Sequence, residues 1–477
     1  MQINILQQGA VGDGTTLNTA AIQSAIDAVA QAGGGQVLVP PGVFLTGMIA
    51  LKDRVRLHLD AGAVLKASPR VEDHPKRELK HGMDWNGGWA RANRFHLLVA
   101  DGCREIAITG QGTLDGNGTA WYPATTDPLT WPLAYEDARR MAPMVEIFDC
   151  RDVRIEGVTL TNVGFWTLHL HESDRVWVRG VRIVNPANAP NADGIDITGC
   201  RDVLISDCHI DTCDDAICLK TFPAGRSCEN VAVTNCVLRT HCVGLKLGCV
   251  ESFQDIRHVT FSNCIVRGSS RALGLYSRHG ATFENIVVSN IVSDTCVPLM
   301  FTRPIHLDVN NAADGRPSVI RNLHVSGFQA VTNGRILLTA AAGSRIENVT
   351  LRDVTLTYPT LDDPAIRGAT VGGSQFSTPC PWARIERAAL VVENVRGLRV
   401  DGFRVCWPAG ECPPAWRFEK KMANGTQQLF TRQDFVPATP VPFAAIALRH
   451  VAGEVLTGLE SLTGHAGAPV IVRAPDA

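Results

Sequence analysis

The sequence predicts an all-β chain, a single-stranded parallel β-helix behind a short N-terminal capping helix. Three observations carry that expectation. A phrase of alternating apolar and polar residues recurs nine times: VRIEGVTL from Val153, VWVRGVRI from Val176, VLISDCHI from Val203, VAVTNCVL from Val231, VTFSNCIV from Val259, IVVSNIVS from Ile286, LHVSGFQA from Leu323, VTLRDVTL from Val349 and LRVDGFRV from Leu398. Between Val153 and Ile286 successive starts lie 23 to 28 residues apart, with no helical pattern between them. Five places into the copies stand Val158, Val181, Cys208, Cys236, Cys264, Ile291, Phe328, Val354 and Phe403. A helix-free repeat of this period, with one apolar position shared by every copy, is the signature of a strand solenoid whose turns cover one another. A propeller blade would need four strands in about 40–45 residues, which these intervals do not match.

Taken in order, residues 1–35 read as a cap. Asn18 or Thr19 can start a helix running to about Ala32, with Ile22, Ala25, Ile26 and Val29 on one face. Gly33-Gly34-Gly35 follows that helix, which suits a C-terminal stop and not a phosphate loop. From Gln36 the period becomes that of strands, in VLVPPGVFLTG, VRLHLDAGAVL and EIAITGQGTLDG. Each later copy of the phrase holds two short strands joined by a polar corner. Asn235, Asn263 and Asn290 sit at such corners, where Asn tolerates left-handed backbone angles. Residues 36–477 are thus expected to form one β-helical domain with loop insertions at about 70–98, 116–148, 304–322 and 358–445. Long loops on a solenoid commonly build its binding groove. Their Trp85, Trp89, Trp121 and Trp131 either stack on sugar rings or pack the loops onto the coil.

Composition removes several functional classes. The 477 residues carry a formal charge of −2 and a pI near 6.7, which gives no electrostatic case for nucleic acid or an anionic membrane. No stretch approaches the roughly 20 apolar residues of a membrane span. The chain opens without a basic segment, apolar run and cleavage site, so a cytoplasmic home is expected, or a secreted or periplasmic one if a leader has been removed. Fifteen cysteines would suit disulfides, but they recur at fixed places in the repeat, their number is odd and no CxxC pair occurs. They read as small buried hydrophobes.

The stretch from Asn191 to Lys220, NADGIDITGCRDVLISDCHIDTCDDAICLK, stands apart. Asp193 and the pair Asp214-Asp215 are separated by 214 − 193 = 21 residues, close to one coil. Residues one coil apart lie on neighbouring strands roughly 4.8 Å apart. Three carboxylates gathered so closely repel unless some are protonated or divide acid and base work between them. Asp also recurs in turns, and that reading stands beside the catalytic one.

These segments, with GAVGDGTTLNTAAIQSAID and GGGQVLVPPG near the start, resemble glycoside hydrolase family 28, the polygalacturonases and rhamnogalacturonan hydrolases, over roughly residues 5 to 300. The resemblance implies a right-handed, pectin-lyase-like solenoid that hydrolyses pectic glycosidic bonds with inversion, using no metal and no cofactor. It implies Asp214 as the general acid, with Asp193 and Asp215 activating water. Two departures follow. The family's Gly-His-Gly falls on Thr240-His241-Cys242-Val243-Gly244, two residues out of place. Such a shift keeps one face of a strand, so His241 either reaches the site or is a histidine near a turn. The family's Arg-Ile-Lys falls on Tyr276-Ser277-Arg278, which keeps one cation and loses a bidentate carboxylate partner. Lys220, Lys246, Arg278 and Arg303 are the remaining candidate carboxylate contacts, and His241 and Tyr276 complete the candidate substrate-binding residues. The expected partner is a pectic oligosaccharide or polysaccharide. A lyase or epimerase on the same solenoid, and a non-catalytic glycan-binding one, are the competing readings.

Overall fold

The computed structural model describes residues 1–75, 95–122, 141, 143–187, 189–295, 302–332, 334–359, 378–386, 388–408, 444–462 and 470–474. They fall into two compact units, Met1–Val237 and Leu238–Ala477.

The first unit opens on the cap. A helix spans Thr19–Gln31 and buries Ile22, Ala25, Ile26 and Val29, the apolar face its period predicts. Asn18 sits at its N-terminus without capping it. Its carboxamide instead accepts the Val11 N–H at 2.7 Å and donates to the Thr16 carbonyl at 2.6 Å, tying down the entering loop. Gly33 and Gly34 end the helix with φ of 92° and 120°, angles that suit glycine.

Beyond the cap the unit is a stack of coils, and each coil carries three strands. The phrase supplies two. Val153 pairs with Val176, Val176 with Val203 and Val203 with Val231, all in parallel. Leu160, Ile183 and Ile210 form the second ladder. The third strand precedes the phrase: Val145–Phe148, Leu168–His171, Ile195–Thr198 and Ile217–Thr221 stack in turn.

The second unit uses the same ladders with longer strands. Ile256–Arg267, Thr282–Thr295, Val319–Thr332 and Arg345–Thr357 each run through the corner. Val259, Ile286, Leu323, Val349 and Leu398 pair in succession, and so do Cys264, Ile291, Phe328, Val354 and Phe403. The corners keep their left-handed column: Asn263 and Asn290 both have φ of 54°, and the Asn290 amide donates to the Asn263 carboxamide at 3.0 Å. Such a ladder satisfies side chains that an isolated turn leaves to water.

Four outcomes bear on the sequence reading. All thirteen described cysteines are free thiols and twelve are buried; Cys208 and Cys236 touch through their side chains. The insertion expected over 304–322 is shorter, because Arg303–Val309 and Val319–Thr332 are strands and only 310–318 connects them. Trp121 packs its loop inward, donating to the Gly116 carbonyl at 3.0 Å; Trp85, Trp89 and Trp131 lie outside the described residues. No helix among the described residues is long and apolar enough to cross a membrane.

Candidate active site

In the first unit the third strand of each coil alternates as a strand should, yet both of its faces are buried. Ile147, Leu170, Ile197 and Leu219 form its apolar row. The other face carries Glu146, His169, Asp196 and Cys218 in one row, and Phe148, His171, Thr198 and Lys220 in the next. Phe165, Trp166 and Phe222 cluster with Phe148, and aromatic edges meet both histidines. Polar groups cut off from water need protein partners. Glu146 supplies two of them, accepting from His169 Nδ1 at 2.9 Å and His171 Nδ1 at 3.0 Å. Burial pushes its carboxyl up, but the two imidazoles outweigh burial and hold it well below the usual range. Burial pushes His171 down. His169 Nε2 reaches Thr198 Oγ1 at 2.8 Å. Donor atoms of Glu146, His169 and His171 lie within 4.8 Å of one another and could ligate an ion, but both Nδ1 atoms are already satisfied by the carboxylate.

Asp193 and Asp215 enter from the loops just before this row. Ile195 pairs with Ile217, so Asp193 and Asp215 hold the same place in successive coils. The Gly194 N–H donates to the Asp215 carbonyl at 2.8 Å. Only glycine fits at 194: a Cβ there would lie 2.4 Å from the Ala216 carbonyl oxygen. Asp193 and Asp215 are both buried, whereas Asp214 is half-buried and accepts the Asp215 N–H on Oδ1 at 2.9 Å. Lys220, 2 % exposed, places Nζ 3.1 Å from Asp193 Oδ2 and 2.8 Å from Asp196 Oδ1. Burial raises the Asp193 carboxyl well above its ordinary value; Asp196, Asp214 and Asp215 add to that and Lys220 opposes it. Asp196 is raised for the same first reason.

In the second unit the corresponding buried strands are Val243–Ser252, Arg271–Ser277 and Arg303–Val309. Arg271 and Arg303 pair in register, as do Gly274 with His306 and Tyr276 with Asp308. Tyr276 is 1 % exposed and lies over Gly274, where a Cβ would come within 2.6 Å of its ring and hydroxyl. Its hydroxyl is 3.4 Å from His306 Nδ1, and burial pushes the phenol upward. Arg278 pairs with the fully buried Asp308. Burial, with Arg303, Arg271, Arg278 and Arg335 nearby, pushes His306 well below the usual histidine range.

The model of the glycosyl hydrolases family 28 matches residues 36–373. The chain belongs to that family. A probable polygalacturonase of Vitis vinifera is 32% identical over 226 residues, 46% of this chain and 44% of that protein. An exo-poly-alpha-D-galacturonosidase of Dickeya chrysanthemi is 25% identical over 433 residues, 78% of this chain and 66% of that one. The chain therefore spans less than two thirds of either relative. A hyperthermoactive exopolygalacturonase of Thermotoga maritima shares the fold, with a TM-score of 0.60 at 23% identity, covering 86% of this chain and 92% of its own.

Within this family 28 chain the first unit gathers Asp193, Asp214, Asp215 and Lys220 on adjoining strand ends. Lys220 differs from its expected part, since its ammonium is taken up by protein carboxylates and is buried. Tyr276, too, is an interior ring and not an exposed contact, because Gly274 leaves the space that it fills. Arg303 is buried, donating from Nη1 to the Thr302 carbonyl at 2.7 Å. Lys246 is buried in its strand, and His241 and Arg278 keep partial exposure. Sequence reasoning missed Glu146, His169, His171 and Asp196, and in the second unit Arg271, His306, Asp308 and Arg335. For His169, His171, Asp196, His306 and Asp308 the signal was polar and apolar alternation in LHLH, IDIT and RPIHLDV; VEIF and RALGLYS, which hold Glu146 and Arg271, carry no such alternation.

Proposed function

We propose that the chain is an inverting glycoside hydrolase of pectic bonds, exo-acting or specific for oligosaccharide fragments. The observation that carries this is the placement of Asp193 and Asp215 at one position of successive coils with Asp214 beside them, in a family 28 chain. In this reading Asp214 gives its proton to the departing glycosidic oxygen. Asp193 and Asp215 take a proton from the water whose oxygen bonds to the anomeric carbon from the opposite side. One bond to the leaving sugar breaks, one to water forms, and each product keeps a hydroxyl. The exo-acting enzymes among the relatives support attack at chain ends. Arg278 and His241, which keep partial exposure, are the proposed contacts to substrate carboxylate or hydroxyl groups; Lys246 and Arg303 are buried. With a buried tyrosine at 276, grip on long polygalacturonate is expected to be weak.

The test is incubation with homogalacturonan and rhamnogalacturonan oligomers, identifying the released sugar and its initial anomeric form. Release with inversion, and loss of about 10²–10⁴-fold in kcat for Asp214→Asn, is expected. An unsaturated product would establish a lyase instead. A rapid early fall in polygalacturonate viscosity would overturn the exo-acting part.

A further inference from the structure

Lys220 does something that the acid–base scheme does not require of it. Its side chain leaves the strand Ile217–Thr221 and ends between two carboxylates, 3.1 Å from Asp193 Oδ2 and 2.8 Å from Asp196 Oδ1. The indole of Trp166 closes one side, with its ring centroid 3.5 Å from Nζ. All three charged groups are buried. Taking an ion pair out of water usually costs more than its attraction returns, and apolar side chains of like volume stabilise as well or better. A purely structural need would not select this arrangement. It also leaves two carboxylates to one ammonium, with Asp214 and Asp215 close by. A base in that field takes up a proton unless a fixed cation opposes it.

We propose that Lys220 is a positioning residue for the reaction: anchored by Asp196 and walled by Trp166, it fixes Asp193 Oδ2 and counters the burial and neighbouring carboxylates that disfavour its ionised form, so that the other carboxylate oxygen faces the water. The inference rests on the proposed hydrolase reading for its catalytic meaning, though the coupling of Lys220 to Asp193 does not depend on it. The groups facing Asp193 are Asp196 on the strand that follows it, Asp214, Asp215 and Lys220 from the next coil, and beyond Asp196 the pair His169 and Glu146. Of these, Lys220 is the group whose charge favours an ionised Asp193, and Asp196 is the one that both opposes that state and holds the lysine. The two should therefore act on Asp193 in opposite directions. An oppositely charged neighbour at this distance moves a carboxyl by about one to three pH units.

The experiment measures kcat and KM against pH on the oligomer that wild type cleaves, for Lys220→Met, Lys220→Arg and Asp196→Asn. In parallel, the Asp193 carboxyl is titrated by carbon-13 NMR, assigned by its loss in Asp193→Asn. Lys220→Met should lower kcat by about 10²-fold, the scale of a displaced catalytic group. KM should stay nearly constant, and the acidic limb and the Asp193 titration should move together to higher pH. Lys220→Arg should restore part of the rate and return the limb toward wild type. Asp196→Asn should move both readouts to lower pH. A raised KM with kcat intact would make Lys220 a substrate contact and overturn the proposal. So would an Asp193 titration unmoved by Lys220→Met, whether or not the enzyme is active. A moved titration in a protein that cleaves no pectic oligomer would retain the coupling and sink the hydrolase reading.

Discussion

Within each coil of the first unit, the strands of the repeated phrase and the strand before it solve different problems with the same backbone. Arg201–Ser206 turns Val203 and Ile205 inward and leaves Arg201, Asp202 and Leu204 exposed, where polar groups are open to water. Ile195–Thr198, a few residues earlier, is buried throughout, and its outer row is Asp196 and Thr198. There the polar groups must satisfy one another, through Glu146 with two histidines and Lys220 with two aspartates. The first kind of strand makes the coil stable. The second holds charge away from water beside Asp193 and Asp215, where field strength is greatest. Stability and chemistry are thus assigned to separate columns of one solenoid, and mutations should separate them.

The largest effect should fall on the second column. Asp193→Asn and Asp215→Asn should each lower kcat by about 10²–10⁴-fold. Asp193→Asn also takes one of two carboxylates from the buried Lys220 ammonium, while Asp196 remains to hold it, so the melting temperature should fall only modestly. A large fall in melting temperature would break the separation.

The converse change lies in the first column. Phe328→Ala opens a cavity in the ladder between Ile291 and Val354 and should cost about 3–5 kcal/mol in chemical denaturation. Activity per folded molecule should survive. Acid should act next, and on the second column. Glu146 has its carboxyl held below its ordinary 4.5 and His171 lies below its ordinary 6.5. Depressed groups contribute stability above their unfolded values and lose it as pH falls. Melting temperature should therefore decline below about 6.5 through His171 and further below about 4.5 through Glu146. Glu146→Gln should flatten the lower part, and an unchanged curve would show that the triad contributes no pH dependence. The smallest effect belongs to the corners: Asn290→Ala should cost roughly 1–2 kcal/mol through its left-handed angle and lost ladder bond. Asn290→Gly should cost less.

The first column was legible in the sequence almost residue by residue. Val153 with Val176, Val176 with Val203 and Ile286 with Leu323 are register partners because strand period and burial of one face fix the alignment. The gathering of Asp193 with Asp214 and Asp215 on successive coils was legible from their offset. The second column was not, for a physical reason. LHLH and IDIT alternate just as exposed strands do, and only the covering Phe165, Trp166 and Phe222 turn their polar rows into buried ones. That covering is tertiary and leaves no period. The burial of Lys220 was hidden for the same cause, since Asp193 and Asp196, which close over it, come from the preceding coil. Tyr276 was misread because the vacancy it fills is made by Gly274, two places earlier on the same strand face.

That last pairing constrains the order in which this lineage could change. While the ring lies across position 274, a Cβ there would meet its far edge at 2.6 Å, so a substitution at 274 requires the buried ring to move. Replacing the tyrosine would remove that contact, and a side chain then gained at 274 would stand in the way of a tyrosine at 276. The two sites are therefore coupled, each limiting what the other can hold.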